Sequence, residues 1–250
     1  MKSVFKISSK SPNTYRTLFK IKTRSSKKPL TAISAETEEI IDAIDAGAQD
    51  THQLALSAKN IQKHANRMRT IIDHICDYAR DERYSQWEQI NTNDVIQDSL
   101  LIFKSQLKKS HIKLHLFLSD NLPNIWGQRS KLESVFQNLI VNGIQAFRSV
   151  DDTRQKKICI WSDKEGLDKI LVRIKDNANG IPEEIRESIF RSFFTTKEKG
   201  EGTGLGLSIA KSIVKEHQGD ITFESESANG TEFKISLPLE RRSSSKKLTN

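Results

Sequence analysis

Leu30, Ile33, Thr37, Ile40 and Ile44 recur at alternating spacings of three and four and stop near Gly47. Leu54, Ala58, Ile61, Ala65, Met68, Ile72, Ile75 and Ala79 continue the same rhythm without a break. Such a stripe is the apolar seam of a helix bundle, and it predicts a helical hairpin over residues 29–80. Two helices cannot cover it alone, so two chains are expected to pair into a four-helix bundle. Residues 81–93 read as a linker. Over residues 94–239 the period alternates between 3.6 and 2. Helices are expected at Thr92–Lys109, Leu132–Phe147 and from Leu205, with a short one near Glu183–Ile189. Strands are expected at Ile112–Leu118, near Ile125, and at Lys157–Ser162, Ile170–Lys175, Asp220–Glu226 and Thr231–Leu237. The fold class is α+β: a helical hairpin, then an α/β sandwich whose mixed sheet carries helices on one face.

Composition changes this picture little. The net charge of +8 comes from the ends, since residues 1–30 hold nine basic and no acidic side chains and Arg241, Arg242, Lys246 and Lys247 crowd the C-terminus. Residues 31–239 hold 27 basic and 31 acidic side chains, a net charge near −4. The segments 1–28 and 240–250 therefore read as disordered, solvated ends, with no specific nucleic-acid partner. No apolar run approaches the ~20 residues of a membrane span, and the basic start lacks the apolar stretch of a secretory signal. Cys76 and Cys159 sit in helical and strand patterns and suggest buried thiols in a reducing, cytoplasmic compartment. Metal-cluster spacing is absent from the sequence.

Three segments carry candidate chemistry. Glycines at 200, 202, 204 and 206 leave a bare backbone ahead of the apolar-periodic helix from Leu205. Exposed N–H groups backed by a helix N-terminus suit a phosphate chain. The run lacks a Gly-Lys-Ser/Thr ending, and no strand leads into it with an acidic residue about 20 residues on, so the usual phosphate-loop patterns do not apply. On the Leu132–Phe147 helix, Asn138 and Asn142 lie one turn apart, away from the apolar face, with Gln145 beside them. The strand Ile170–Lys175 runs into Asp176-Asn177-Ala178-Asn179-Gly180-Ile181-Pro182, a turn able to aim one carboxylate into a pocket. Taken singly, the asparagines read as a solvated helix face, Asp176 as a turn former and Lys197 as a surface charge.

In this order the Asn-x-x-x-Asn helix, the Asp-x-x-x-Gly-Ile turn, Ile-Phe-x-x-Phe-Phe-Thr-Thr-Lys and Gly-Thr-Gly-Leu-Gly-Leu resemble the ATP-binding domain of sensor histidine kinases. That domain shares its fold with gyrase, heat-shock-90 chaperones and mismatch-repair ATPases, and the resemblance covers roughly residues 91–239. It implies that ATP and Mg²⁺ bind between the helical layer and a lid. Asn142 would hold Mg²⁺, a role an amide oxygen can fill for a hard cation. Asn138 stands where hydrolytic relatives carry a glutamate base; an amide cannot take a proton from water, which implies slow hydrolysis. Asp176 would accept from the adenine amino group, with Gly180 and Ile181 letting backbone approach the base and Thr231 beside it. Thr196, Lys197, Gly202, Thr203, Gly204, Leu205, Gly206 and Leu207 would form lid and phosphate contacts. Phe190, Phe193 and Phe194 read as lid anchors and core.

The resemblance also implies a homodimer through the hairpin and, as partners, a response regulator or a related histidine kinase. The sequence departs from the family pattern at Ala178, Ser192 and Gly143, which replace a glycine, a proline and an alanine. Ala178 is tolerated if its φ is negative and costs about 1 kcal/mol if the turn needs a positive φ. Pro29-Leu30-Thr31 matches the end of the acceptor-histidine motif, which puts Arg24 at the histidine position and Ser25 at its neighbouring glutamate. Guanidinium stays protonated and cannot act as the nucleophile. His64, on the second helix, is the nearest weak substitute. Two readings follow: a kinase passing the ATP γ-phosphate to a histidine in trans, or an ATP-binding pseudokinase that modulates another kinase.

Overall fold

The computed structural model describes residues 30–46, 51–65, 68, 86–150, 154–197 and 202–240. The basic segment 1–28 with Arg24 and Ser25, the seam positions Ile72, Ile75 and Ala79, residues 81–85 and the tail from 241 lie outside the described residues. The chain divides into two units, Met1–Cys76 with Thr196–Thr203, and Asp77–Thr195 with Gly204–Asn250.

In the first unit, helices α1 (residues 30–45) and α2 (residues 51–65) make the expected hairpin arms. Their enclosed stripes are Ile33, Glu36, Ile40 and Ala43 on α1, and Leu54, Ser57, Ile61 and His64 on α2. Asn60 Nδ2 donates to Glu36 Oε1 across the pair at 3.0 Å. Thr37, Ala58 and Ala65, expected in the seam, are exposed; the Thr37 hydroxyl donates back to the Ile33 carbonyl at 2.7 Å. Leu30, Ile41, Ile44 and Leu56 leave about half of their surfaces exposed, so the hairpin carries apolar area its own two helices do not cover.

The second unit begins with β1 (Glu88–Ile90), which lies inside the stretch read as linker. It pairs antiparallel with β3 (Ile125–Gly127) as a separate two-stranded sheet. Three residues are too few for a period to show in sequence. Trp87 packs on His217 with ring centroids 4.9 Å apart, and Ile90 is buried. Asn91 then caps α3 (Thr92–Leu101), its side chain accepting from the Asn93 N–H at 2.9 Å. The helix expected over Thr92–Lys109 is broken: α4 (Lys104–Lys109) follows a kink at Ile102–Phe103, where the Phe103 N–H bonds Leu100 three residues back. The kink leaves Leu101 and Ile102 exposed while Phe103 and Leu107 stay buried.

The main sheet runs in the order β2 (Lys113–Leu118), β4 (Lys157–Glu165), β5 (Lys169–Asp176), β7 (Gly230–Pro238), β6 (Asp220–Glu226). The β2–β4 pair is parallel and the others antiparallel, so the sheet is mixed. Period-2 alternation sends Ile158, Ile160, Ile170, Val172, Ile174, Phe233, Ile235 and Leu237 inward. They meet the buried stripe of α5 (Arg129–Ala146), formed by Leu132, Val135, Phe136, Leu139, Ile140 and Ile144. Helices α3, α5 and α6 (Gly206–Glu216) form the helical layer over that face. Cys159 falls on the outward row of β4; it is a half-buried free thiol rather than a fully buried one, and partial burial pushes its pKa up.

Helices α5 and α6 lie side by side in opposite directions. Lys131, only 1% exposed near the start of α5, holds both carboxylate oxygens of Glu216 at the end of α6, at 2.9 and 2.8 Å. The desolvation cost of a buried cation offsets much of the attraction such a pair gains, while removal of either partner would leave a buried charge uncompensated. Beside it the His217 ring is pinned at both nitrogens: Nε2 accepts from the Gln128 N–H at 3.0 Å and Nδ1 faces the Ile213 carbonyl at 2.8 Å. The ring is therefore a neutral Nδ1–H tautomer bridging the ends of both helices.

Candidate nucleotide-binding site

Asp176 ends the inward row Ile170, Val172, Ile174, so strand periodicity alone carries a carboxylate into the interior. It is 6% exposed. Its Oδ1 accepts from the Ala178 N–H at 3.0 Å and the Thr231 N–H at 3.3 Å, one donor from its own turn and one from β7. Burial raises its pKa above the ordinary carboxylate value; those backbone donors and nearby Lys175 pull the other way. A carboxylate kept this dry presents a strong acceptor to any donor that reaches it.

The turn after β5 is held from several directions. Ala178 is fully buried and is not among the residues with positive φ, so replacement of a glycine costs no left-handed strain here. Gly180 does adopt φ +77°, and a Cβ there would lie 2.3 Å from the Glu226 carbonyl oxygen. The glycine is thus required first by the end of β6 crossing over it. The Ile181 N–H donates to Ser225 Oγ at 2.7 Å. Ser225 Oγ also lies 3.1 Å from the Gly230 carbonyl and 2.9 Å from Thr231 Oγ1, while the backbone N–H of the buried Thr231 meets Asp176.

On α5, Asn138 turns its Nδ2 back to the Ser134 carbonyl at 2.9 Å. That fixes Oδ1 toward the start of α6, where a Cβ on Gly206 would stand only 2.7 Å away. The last glycine of the run is therefore the point at which α6 closes on the asparagine helix. One turn further, the Asn142 Nδ2 is enclosed with no protein partner. A half-turn about χ2 exchanges it for the oxygen, so one end of this amide has its capacity uncommitted. Gly143 leaves room between α5 and Ile158: an added Cβ would approach Ile158 Cδ1 at 3.3 Å.

Helix α6 begins at Gly206 with no side-chain cap from Leu205, which is itself buried; Leu207 packs partly against the core. Gly204, at φ +66°, accepts the Phe193 N–H at 2.7 Å, and Phe193 itself takes φ +69°. Phe190 packs edge-on against Phe223 and Phe233 at the margin of the core. The structure thus brings Asn138, Asn142, Asp176, Gly180, Ile181, Gly204, Leu205, Gly206, Leu207 and Thr231 into the second unit. Thr196, Lys197, Gly202 and Thr203 fall in the first unit, where Thr196 is exposed and the other three are half-buried.

Residues 127–241 match the family described as histidine kinase-, DNA gyrase B- and HSP90-like ATPase. The catalytic domain of histidine kinase ThkA superposes with a TM-score of 0.54 at 32% identity, over 62% of this chain and 97% of that one. The chain belongs to the histidine kinase family. Among curated members, sensor histidine kinase ZraS of Salmonella typhimurium is 28% identical over 85% of this chain and 43% of its own length. A structure of histidine kinase ThkA in complex with response regulator protein TrrA matches 92% of this chain and 61% of that one, at 25% identity and a TM-score of 0.60. The chain spans less than half the length of the curated histidine kinases it matches.

Three residues that buttress the turn after Asp176 were not anticipated: Ser225, Arg154 and Arg186. Ser225 carried a faint signal, since it lies beside Thr231 across the β6–β7 register. Arg186 donates to the Ile181 carbonyl at 3.2 Å and the Ser225 carbonyl at 2.7 Å. Lone arginines outside any motif offer no pattern to read. His64, the weak acceptor candidate, is half-buried on α2 with its Nδ1 enclosed and unpartnered.

Proposed function

We propose that this chain is the ATP-binding kinase core of a sensor histidine kinase, passing the γ-phosphate of ATP to a histidine supplied in trans. The observation that carries the reading is Asp176: a buried carboxylate at the end of an inward strand row, cradled by backbone N–H groups from two segments. Such an acceptor suits the exocyclic amino group of adenine and repels a keto oxygen at the same place. Thr231 stands beside it, and the N-terminus of α6 suits the phosphate end. Asn142, with one amide end uncommitted, fits a Mg²⁺ ligand. Bound there, Mg²⁺ would neutralise phosphate charge. Asn138 carries no base and is already bonded to Ser134, which favours retention of ATP over hydrolysis.

In the transfer the bond between the γ-phosphorus and its bridging oxygen breaks, a nitrogen–phosphorus bond forms at an imidazole, and ADP leaves. The chain's own residues bind and orient. Homodimerisation through residues 29–80 is supported by the uncovered apolar area on α1 and α2. A response regulator is the partner class suggested by the ThkA–TrrA complex. No described helix is long and apolar enough to cross a membrane, and the cysteine usage favours the cytoplasm. The second reading, an ATP-binding pseudokinase, draws on Arg24 at the acceptor position.

Incubation with γ-labelled ATP tests the proposal. The unmodified chain is expected to label itself weakly or not at all, and to label a bundle that retains its histidine. The Arg24→His, Ser25→Glu double variant is expected to gain acid-labile, alkali-stable label. Strong labelling of the unmodified chain at His64 would overturn the in-trans assignment, and failure of every acceptor would favour the pseudokinase.

A further inference from the structure

We propose that Arg154 is a positioning residue for the nucleotide: its guanidinium clamps the turn that follows Asp176 to the loop between β6 and β7, and so holds the base-binding end in its receptive shape. The inference rests on the nucleotide reading above and adds a residue to it.

Three backbone carbonyls converge on one guanidinium nitrogen. Arg154 Nη1 lies 3.1 Å from the Asn177 oxygen, 3.3 Å from the Ala178 oxygen and 3.1 Å from the Ala228 oxygen. The first two belong to the Asp176 turn and the third to the β6–β7 loop, whose Ala228 is held at φ +65°. Three carbonyl dipoles pointing at one spot repel each other, and a permanently charged guanidinium is the side chain suited to hold them. The one direct backbone bond between the two segments here runs from the Ala228 N–H to the Asn179 oxygen at 2.9 Å.

The backbone beside Arg154 is itself pinned to the same turn. Asn177 Oδ1 accepts from the Lys157 N–H at 2.7 Å, and Asn177 Nδ2 donates to the Gln155 oxygen at 2.9 Å. The arginine therefore reaches its acceptors from an anchored base, which reduces the entropy lost in forming the clamp. The consequence falls on Asp176. Its Oδ1 takes one N–H from Ala178, in the clamped turn, and one from Thr231, three residues past Ala228. If the two segments part, the cradle of the carboxylate opens and its second oxygen loses its aim. Arg186 and Ser225 brace the far side of the turn but do not replace this contact, since they meet Ile181 rather than Asn177 and Ala178.

The test is calorimetric titration of ADP and of ATP into the full chain and its Arg154→Ala, Arg154→Gln and Arg154→Lys variants, with melting midpoints of the ligand-free proteins. Loss of the clamp is expected to raise Kd about tenfold, roughly 1.4 kcal/mol, equally for ADP and ATP because the base end is affected. Lysine is expected to recover part of the affinity, since it keeps the positive charge although its ammonium ends one bond short of Nη1, while glutamine is not. A purely structural role would lower the melting midpoint of all three variants and leave Kd unmoved. Binding by Arg154→Gln within about twofold of the native Kd, or no advantage of lysine over glutamine, would overturn the inference alone. Arg154→Gln carries the test if the alanine variant does not fold. Absence of ADP binding by the unmodified chain would overturn the nucleotide reading and this inference with it.

Discussion

Asp176 is costly to the empty protein near neutral pH, because burial disfavours its charged form, and under the proposed function it is the group that meets the base. Burial raises its pKa, so in the fold the protonated form is favoured relative to the unfolded chain. Its contribution to stability is therefore fully present below the ordinary carboxylate pKa of 3.8 and is lost as pH rises through the raised folded value. Asp176→Asn should remove that dependence and stabilise the ligand-free protein near neutral pH, while weakening ATP binding by about 1–3 kcal/mol. Thermal melts across pH, set beside calorimetry of ATP binding, separate the two effects. A variant that binds ATP as tightly as the native chain would remove Asp176 from the base-binding end.

Among the elements, α5 and α6 show how a site is set by helix packing. The contact between Gly206 and Asn138 leaves no room for a methyl group. Alanine ordinarily favours a helix over glycine by about 0.8–1.0 kcal/mol, so Gly206→Ala should lower stability little. It should still reduce ATP affinity several-fold, roughly 1 kcal/mol, by rotating Asn138 away from Ser134. Unchanged affinity in calorimetry would show that the start of α6 is not read by the ligand.

These helices were legible in sequence because each keeps a clear period over three or more turns. So were the strands of the main sheet, and the Asp176 turn through its local turn residues. The break at Ile102–Phe103 was not, because the buried positions of α3 and α4 look like one continuous helix. Nor was β1, whose three residues show no alternation. Arg154 and Arg186 act on backbone carbonyls that come together only in the fold, and no local pattern announces such a contact.

For the whole molecule, the hairpin's uncovered apolar residues set the expectation of a dimer. Leu30, Ile41, Ile44 and Leu56 remain exposed after α1 and α2 have met, and burying each against a second chain would contribute on the order of 1 kcal/mol or more. Ile61 lies on the enclosed stripe of α2. A lysine there would disturb the meeting of α1 and α2 first, whereas Leu56→Lys charges one of the exposed apolar positions and should convert a dimeric chain to monomer in sedimentation equilibrium. A stable monomer of the unmodified chain would rule out the four-helix bundle.

The strand pair β1–β3 has one more bearing, on where this protein can be cut and joined. The family match opens at Gly127, the last residue of β3. Yet β1, α3, α4 and the edge strand β2 all precede it, and Val95, Ile96 and Leu100 of α3 are buried in the same core. A recombination joint at residue 127 would cut the β1–β3 pair away together, strip α3 from α5 and uncover His217 beneath Trp87. The interchangeable module is longer than its signature: it starts where Trp87 first docks. Exchange that respects this seam keeps β1, α3 and β2 with the core they pack on, whereas exchange at the motif boundary leaves them behind.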